Sequence, residues 1–412
     1  MERGKLLSEP GQSGATAVGV SFVMPCLNEI LSLAACIAAI REAEAQIAAQ
    51  YGLACEIVVA DNGSTDGSQA LAEGLGARVV PVEEKGYGAA LSGGFRAARG
   101  RYLVMGDADG SYDFREATAM IGALIDGADL CMGSRFKGGI RPGAMPWKNR
   151  YIGNPLLTGI LNLLFRAGVE DAHCGLRALT RDCFDRLRLT GSGMEFASEM
   201  VIKAALKGER IVERPATLSP DLRDRPPHLR PWRDGWRHLR YLFMLSPAWL
   251  FALPGAAAMA VGVFILTASG AHFLVAPREP FFFGNYWDVL ASALVAVGHI
   301  ALVLALASHL HGVRSGFRKA PPLFMGLARW LNLESMIFAG VALAGLGVAD
   351  LAAVFAAWNN HILTHADSVF PVVFGTLLMS LGAQTVLGGF LLAIIGGNEA
   401  QFIQLPDRAA RP

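Results

Sequence analysis

Tyr102-Leu-Val-Met-Gly-Asp-Ala-Asp-Gly-Ser-Tyr-Asp113 opens as an apolar run and then breaks into two carboxylates, Asp107 and Asp109. In an extended segment, residues i and i+2 project to the same side. Both carboxylates can therefore reach one point at the end of a strand read as buried over Tyr102–Met105. Two anionic oxygen ligands so placed suit a hard divalent cation, Mg²⁺ or Mn²⁺, of the kind usually shared with phosphates. The competing reading is a polar strand-to-loop turn, because Asp and Gly are ordinary turn residues. The neighbouring stretches decide between the two.

Upstream, Val18–Met24 is an apolar run stopped by Pro25 and followed by Asn28 and Glu29. Glu56–Ala60 is a second run, ending at Asp61 in the turn cluster Asp61-Asn-Gly-Ser-Thr-Asp66. Ala77–Val82 is a third, before Lys85-Gly-Tyr-Gly88. Downstream, Asp129–Gly133 closes on Gly133-Ser-Arg135. Helical stretches lie between these runs. Continuous apolar strands alternating with helices predict an α/β domain with a Rossmann-like, mostly parallel sheet covered on both faces. Ligands of such sheets sit beyond the carboxyl ends of the strands. The polar clusters at 25–29, 61–66, 85–88 and 107–109 fall at those ends, so four loops are expected to share one crevice. Within it Asp61 suits a base or ribose and Lys85 a phosphate, while Gly86 and Gly88 allow close backbone approach. Dinucleotide binding needs G-x-G-x-x-G after strand one, where this chain has Pro25-Cys-Leu-Asn-Glu29, and no phosphate-binding G-x-x-x-x-G-K-[ST] occurs. Dehydrogenase and P-loop kinase readings are thereby excluded.

Mean hydropathy is +0.38 and charged residues make up 17% of the 412, too apolar for an ordinary soluble enzyme. The excess is uneven. From Trp249 onward there are seven Asp/Glu and seven Lys/Arg, against 28 and 29 before it. Four apolar stretches, Trp249–Val275, Tyr286–Leu310, Ser335–Trp358 and Phe370–Gly396, each exceed the ~20 residues needed to cross a bilayer. Arg314, Arg318, Lys319 and Arg329 follow the second, and the third link has no Lys or Arg. The positive-inside rule then places the first half and both termini in the cytoplasm of an integral, multi-pass protein of the cell membrane. Residues 1–17 lack an apolar signal segment and are expected to be a disordered tail. The six cysteines, scattered before the spans without C-x-x-C spacing, agree with reduced thiols. Net charge +1 gives no argument for nucleic acid.

Several shorter segments carry their own expectations. Leu156–Phe165 reads as helix, either core or against lipid. Glu195, Glu199 and Lys203 share a helix face, and a surface ion-pair ladder is the reading favoured for Glu195 and Lys203. Residues 215–230 read as a basic, mobile loop, and Pro231–Leu245 as an amphipathic helix. Trp232, Trp236, Leu239 and Phe243 form its stripe, with Arg233, Arg237 and Arg240 beside it, suiting an anionic bilayer surface. His299 and Asp350 are ionisable groups in or near spans, hence functional candidates. The expected division is 18–214 catalytic, 215–247 loop and interfacial helix, 248–397 membrane, and 398–412 tail.

The ordered set Val23-Met-Pro-Cys-Leu-Asn-Glu29, Asp61–Asp66, Lys85–Gly88, Gly106-Asp-Ala-Asp109 and Gly133–Arg135 resembles the inverting family 2 glycosyltransferases of GT-A fold. Asp171-Ala-His-Cys-Gly-Leu-Arg177 is similar to the D-x-x-S-G-F-[RK] segment of their polyprenyl-phosphate branch, the relatives of dolichyl-phosphate mannose synthase. The resemblance implies a nucleotide-sugar donor, UDP- or GDP-linked with UDP favoured and GDP-mannose the other possibility, bound by Pro25, Asn28, Glu29, Asp61, Lys85 and Asp107. It implies a metal on Asp107 and Asp109, with Asp109 catalytic, and a polyprenyl phosphate acceptor at the membrane. Asp171 is similar to the acid placed near that acceptor, as orienter or base, and Arg135, Arg223 and Arg225 are candidates for gripping its phosphate. The chain departs from the pattern at Ser111, where relatives often carry Gln, so no third protein ligand is assigned. A processive polysaccharide synthase remains an alternative, although its Q-x-x-R-W is missing. So does a catalytically idle nucleotide-sugar module on a flippase or scaffold. The oligomeric state is left open.

Overall fold

A computed structural model describes residues 18–224, 231–275, 281–318, 331–360, 368–398 and 400–402. The expected tail 1–17, residues 403–412 of the other tail, and Arg225 lie outside them. The chain divides into two units, Met1–Leu239 and Arg240–Pro412.

The first unit runs β1 (Val18–Cys26), α1 (Ile30–Tyr51), β2 (Ala54–Asp61), α2 (Ser68–Gly74), β3 (Arg78–Pro81), α3 (Tyr87–Ala97), β4 (Tyr102–Met105), α4 (Ala117–Ile125), β5 (Leu130–Ser134), α5 (Arg135–Gly138), α6 (Asn154–Phe165), β6 (Arg177–Thr180), α7 (Arg181–Leu187), α8 (Glu195–Lys207) and β7 (Ile211–Pro215). The sheet order is β3-β2-β1-β4-β6-β5-β7. β1 pairs in parallel with β2 and β4, and β2 with β3. Both faces are covered, which explains the continuous apolar strands. Val20, Phe22 and Met24 join one core with Leu33, Ile37, Ile40 and Ile47 of α1. Val23 points the other way, against α3 at Gly94. The spacing of the α1 residues is that of one helix face. Each such large side chain contributes about 1.5–3 kcal/mol on burial.

Two strands escaped the sequence reading. β6 is antiparallel between β4 and β5, and β7 pairs in parallel with β5. β6 has only four residues, and it begins with an arginine where an apolar residue is expected. Arg177 is fully buried. Its guanidinium donates to the carbonyls of Cys174 and Ala172, at 2.8 and 3.0 Å, and to Ala197. These bonds satisfy the charge and fix the loop before the strand. The ion-pair ladder is also corrected. Lys203 and Glu199 form a buried pair at 2.6 Å, and Glu199 caps the backbone N–H groups of Thr190 and Gly191. α6 is core on one side only: Thr158, Leu161 and Phe165 are buried, and Leu156 and Leu163 are exposed.

α9 (Pro231–Met244) leads into four long helices, α10 (Leu253–Val275), α11 (Asn285–Arg314), α12 (Leu333–Asn359) and α13 (Phe370–Gly396). All four are long and apolar enough to cross a membrane. α10 packs on α11, α12 on α13, and α11 on α13. Small residues permit the approach: a Cβ on Gly382 would lie 2.5 Å from the Gly340 carbonyl. His299 meets Gln384 Oε1 at 3.0 Å through Nδ1 and Thr385 at 3.3 Å through Nε2, a polar link between α11 and α13. Asp350 Oδ2 is buried beside Gly375 and has no hydrogen-bond partner among the described residues.

The β1–α3 contact is tight. A Cβ on Gly94 would sit 2.4 Å from Val23 Cγ1 and 3.0 Å from Ala60 Cβ, whereas one on Gly74 would meet nothing within 4 Å. Gly94→Ala should cost about 1–3 kcal/mol by overpacking. Gly74→Ala should be neutral or stabilise by about 0.4–1 kcal/mol. Thermal unfolding of the full chain in detergent checks the pair. Equal effects would contradict the packing.

Candidate active site

The loops after β1, β2 and β4 are stitched together by their own polar groups. Asn28 donates its backbone N–H to Ser64 Oγ at 2.9 Å, and Asn28 Oδ1 accepts from the Thr65 N–H at 2.7 Å. The Glu29 and Ile30 N–H groups donate to Ser68 Oγ and Asp66 Oδ2, at 3.1 and 3.0 Å. Asn28 takes φ 59°, a left-handed conformation that Asn tolerates better than most residues. Ser32 Oγ donates to the Ala108 carbonyl at 2.6 Å, tying α1 to the Asp107–Asp109 turn. Asp61 accepts from Gly63 N, Ser64 N and Gln69 Nε2. Burial alone would raise its carboxyl, but these bonds outweigh it and hold the group below the ordinary carboxylate range. Lys85 Nζ donates to the Asn62 carbonyl at 2.7 Å, and Asn62 Oδ1 accepts from the Gly86 N–H. Pro25 lies in β1 opposite Ala60.

The close approach allowed by Gly86 and Gly88 is made by the chain's own backbone. A Cβ at either position would collide with the backbone of residues 191–193, and Ala89 donates its N–H to the Ser192 carbonyl. The two glycines admit a protein loop.

Asp107 Oδ1 accepts from Tyr87 Oη at 2.9 Å, and Asp109 Oδ1 from the Ser111 N–H at 3.0 Å. Burial, and then the charge of Asp109, push the Asp107 carboxyl up to about 7. Two like charges at a buried strand end cannot both ionise cheaply. Arg223 is drawn against them. It lies bidentate on Glu29, with Nη2 to Oε1 at 2.9 Å and Nε to Oε2 at 3.0 Å, and its Nη2 is 3.2 Å from Asp109 Oδ2. An oxygen-only donor pair with a cationic side chain already held against it fits a hard divalent cation. Among the described residues no three His, Cys, Asp or Glu side chains gather closely enough to hold a metal. A cation on Asp107 and Asp109 would therefore complete its shell with oxygens of a ligand, as a diphosphate supplies.

Asp171 and Arg135 are brought together, but as each other's partner. Arg135 donates through its N–H, Nε and Nη2 to the Asp171 carboxylate at 3.0, 2.7 and 2.7 Å, with both side chains buried. Burial would raise the Asp171 carboxyl, but bonds and charge from Arg135 hold it low. The loop that carries Asp171 passes beside the carboxylate pair. Gly175 donates its N–H to Tyr112 Oη, and a Cβ there would sit 2.7 Å from Asp107 Oδ2. Tyr87, Ser32 and Tyr112 were missed by the sequence reading, because a lone hydroxyl carries no pattern. Tyr87 lay within a quoted motif and Tyr112 within the first stretch.

Residues 21–188 match the model of glycosyl transferase family 2, and residues 306–396 match the C-terminal transmembrane region of family 2 glycosyltransferases. The low-salt glycan biosynthesis hexosyltransferase Agl6 of Haloferax volcanii is 36% identical over 92% of this chain and 89% of its own. The chain belongs to glycosyltransferase family 2. The transferase also resembles the dolichyl-phosphate hexose transferase of the same archaeon, 30% identical over 38% of this chain and 68% of that one. The polyprenol monophosphomannose synthase of Mycolicibacterium smegmatis is 29% identical over 48% and 76%. With its membrane region, this chain is a membrane glycosyltransferase.

Asp171→Ala should leave the buried Arg135 charge unpaired and cost about 3–5 kcal/mol. The sign with pH follows from the depressed carboxyl. Its stabilisation is present above the unfolded value of about 3.9 and is lost as pH falls through the folded value. Unfolding midpoints at neutral pH should differ between wild type and variant, and the gap should close on acidification. A gap independent of pH would contradict the ion pair.

Proposed function

We propose that this transferase moves one sugar from a nucleoside-diphosphate sugar, UDP-linked in preference to GDP-linked, to a polyprenyl phosphate with inversion. The observation that carries the reading is the convergence of the β1, β2 and β4 loops and Arg223 around Asp107 and Asp109, in a chain with four membrane-length helices. The names of the two lipid-phosphate relatives agree with that acceptor class.

Asp61, Asn28 and Glu29 are assigned to the base and ribose, and Lys85, whose Nζ donates to the Asn62 carbonyl, is assigned to the diphosphate. Asp107 and Asp109 would hold Mg²⁺ or Mn²⁺, which supplies charge stabilisation for the departing diphosphate. A phosphate monoester has its second pKa near ~6, so the acceptor is already an anionic nucleophile at neutral pH. A strong general base is unnecessary, and in-line placement supplies most of what is needed. The engagement of Asp171 with Arg135 supports an orienting role for Asp171 rather than that of a base. Trp147, Tyr151, Ile152, Leu156 and Leu163 are exposed, with Lys148, Arg150 and Arg166 among them. Such a surface suits anionic lipid headgroups and so a lipid-borne phosphate. Trp236 and Phe243 of α9 are exposed as well. The Lys/Arg-rich link after α11 supports a catalytic unit and termini facing the cytoplasm.

The full chain, incubated with Mn²⁺, polyprenyl phosphate and a panel of UDP- and GDP-sugars, should yield a lipid heavier by one sugar, read by mass spectrometry. Asp109→Asn should lower the rate by about 10²–10³, the usual effect of removing one element of charge stabilisation. A polymeric product, transfer without lipid phosphate, or an unchanged rate in Asp109→Asn would defeat the reading.

A further inference from the structure

Arg223 stands on a short strap that lies directly on the Asp107–Asp109 turn. The Leu222 N–H donates to the Asp109 carbonyl and the Ser219 N–H to the Ser111 carbonyl, both at 2.9 Å. Leu218 bridges Tyr112, and a Cβ on Gly110 would meet Leu222 Cδ1 at 2.8 Å. The strap therefore brings one guanidinium to a point between Glu29 and Asp109, with its side chain only 16% exposed. Glu29 is itself buried. Arg223 and a divalent cation address the same carboxylate oxygen, and they carry charge of the same sign. They cannot share Asp109 Oδ2 without mutual repulsion. Arg223 is held there by its pair with Glu29 and by the strap's backbone bonds from Leu222 and Ser219. Leu218, bonded to Gly139 and Arg141, fixes the near end of the strap.

We propose that Arg223 is the resident counter-ion of the metal carboxylates, and that loading of the cation displaces it and lifts residues 219–224 of the strap from the turn. The inference rests on the reading that Asp107 and Asp109 hold the metal. It makes metal loading and opening of this side of the crevice one event. Substrate phosphates then gain access where a cation is present to meet them, and the released guanidinium is free to pair with a phosphate. Arg135 has no such freedom, since Asp171 consumes its fork.

The test uses the full chain in detergent with Mn²⁺ alone as probe and no nucleotide. Mn²⁺ affinity is read by electron paramagnetic resonance of the free ion, and strap opening by amide hydrogen exchange over 219–224. Arg223→Met should bind Mn²⁺ more tightly than wild type, within the roughly 5- to 150-fold span usual for coupling between two sites. Arg223→Lys, which keeps the charge, should stay near wild type and guards against a folding defect in the neutral variant. Mn²⁺ should speed exchange at Leu222 and Ser219 in wild type and leave it unchanged in Asp109→Asn. Unchanged or weaker Mn²⁺ binding in Arg223→Met, or a strap that slows its exchange with Mn²⁺, would overturn the displacement while leaving the metal reading intact. Wild-type Mn²⁺ binding that is absent, or indifferent to Asp109→Asn, would instead remove the metal reading beneath it.

Discussion

Asp107 and Asp109 put two negative charges at the buried end of β4, and much of the first unit is arranged around the repulsion between them. One carboxyl rises to about 7. A phenol, a backbone N–H and a guanidinium are directed at the pair. Alone, such a pair would be a stability cost, since buried charge is expensive without partners. Its retention at the mouth of a sheet makes sense where a cation and a diphosphate complete it. Functional sites are where local cost is accepted.

The crevice has a stiff wall and, in the inference above, one that moves. The stiff wall is the stitched set of loops after β1 and β2, where Ser64, Asp66 and Ser68 satisfy the backbone of residues 28–30. The buried Arg135–Asp171 pair and the Arg177 guanidinium fix the far side through carbonyls and carboxylate, not through apolar packing. The moving wall of that inference is the strap with Arg223. A transfer reaction needs both. Donor groups must be held in line, and one side must open to admit a second substrate.

Much of this was legible in the sequence for a physical reason. Strands buried on both faces leave continuous apolar runs, and the turns that end them are polar and satisfy one another's backbone groups. That is why β1, β2 and β4 and the positions of Asn28, Glu29, Asp61 and Asp107 could be read directly. The four membrane-length helices were equally plain from composition. β6 was not legible, because its first residue is an arginine whose burial depends on the carbonyls of Ala172, Cys174 and Ala197, a partnership that no residue pattern announces. The Arg135–Asp171 pairing was hidden for the same reason: both residues were singled out, but neither spacing nor pattern says that two charged side chains consume each other. Lys203 looked like a surface charge at helical spacing, and only its burial against Glu199 distinguishes the two cases. Gly86 and Gly88 signalled close approach correctly and left its partner unspecified. Arg225 lies outside the described residues.

The account turns on whether one cation joins Asp107 and Asp109 to the phosphates of the donor. Electron–nuclear double resonance of Mn²⁺ bound to the full chain with UDP tests this most directly. The account predicts a coupling between the manganese spin and ³¹P that is lost when Asp107 and Asp109 are both replaced by Asn. A coupling that survives the double replacement, or none in the wild type at saturating UDP and Mn²⁺, would contradict it.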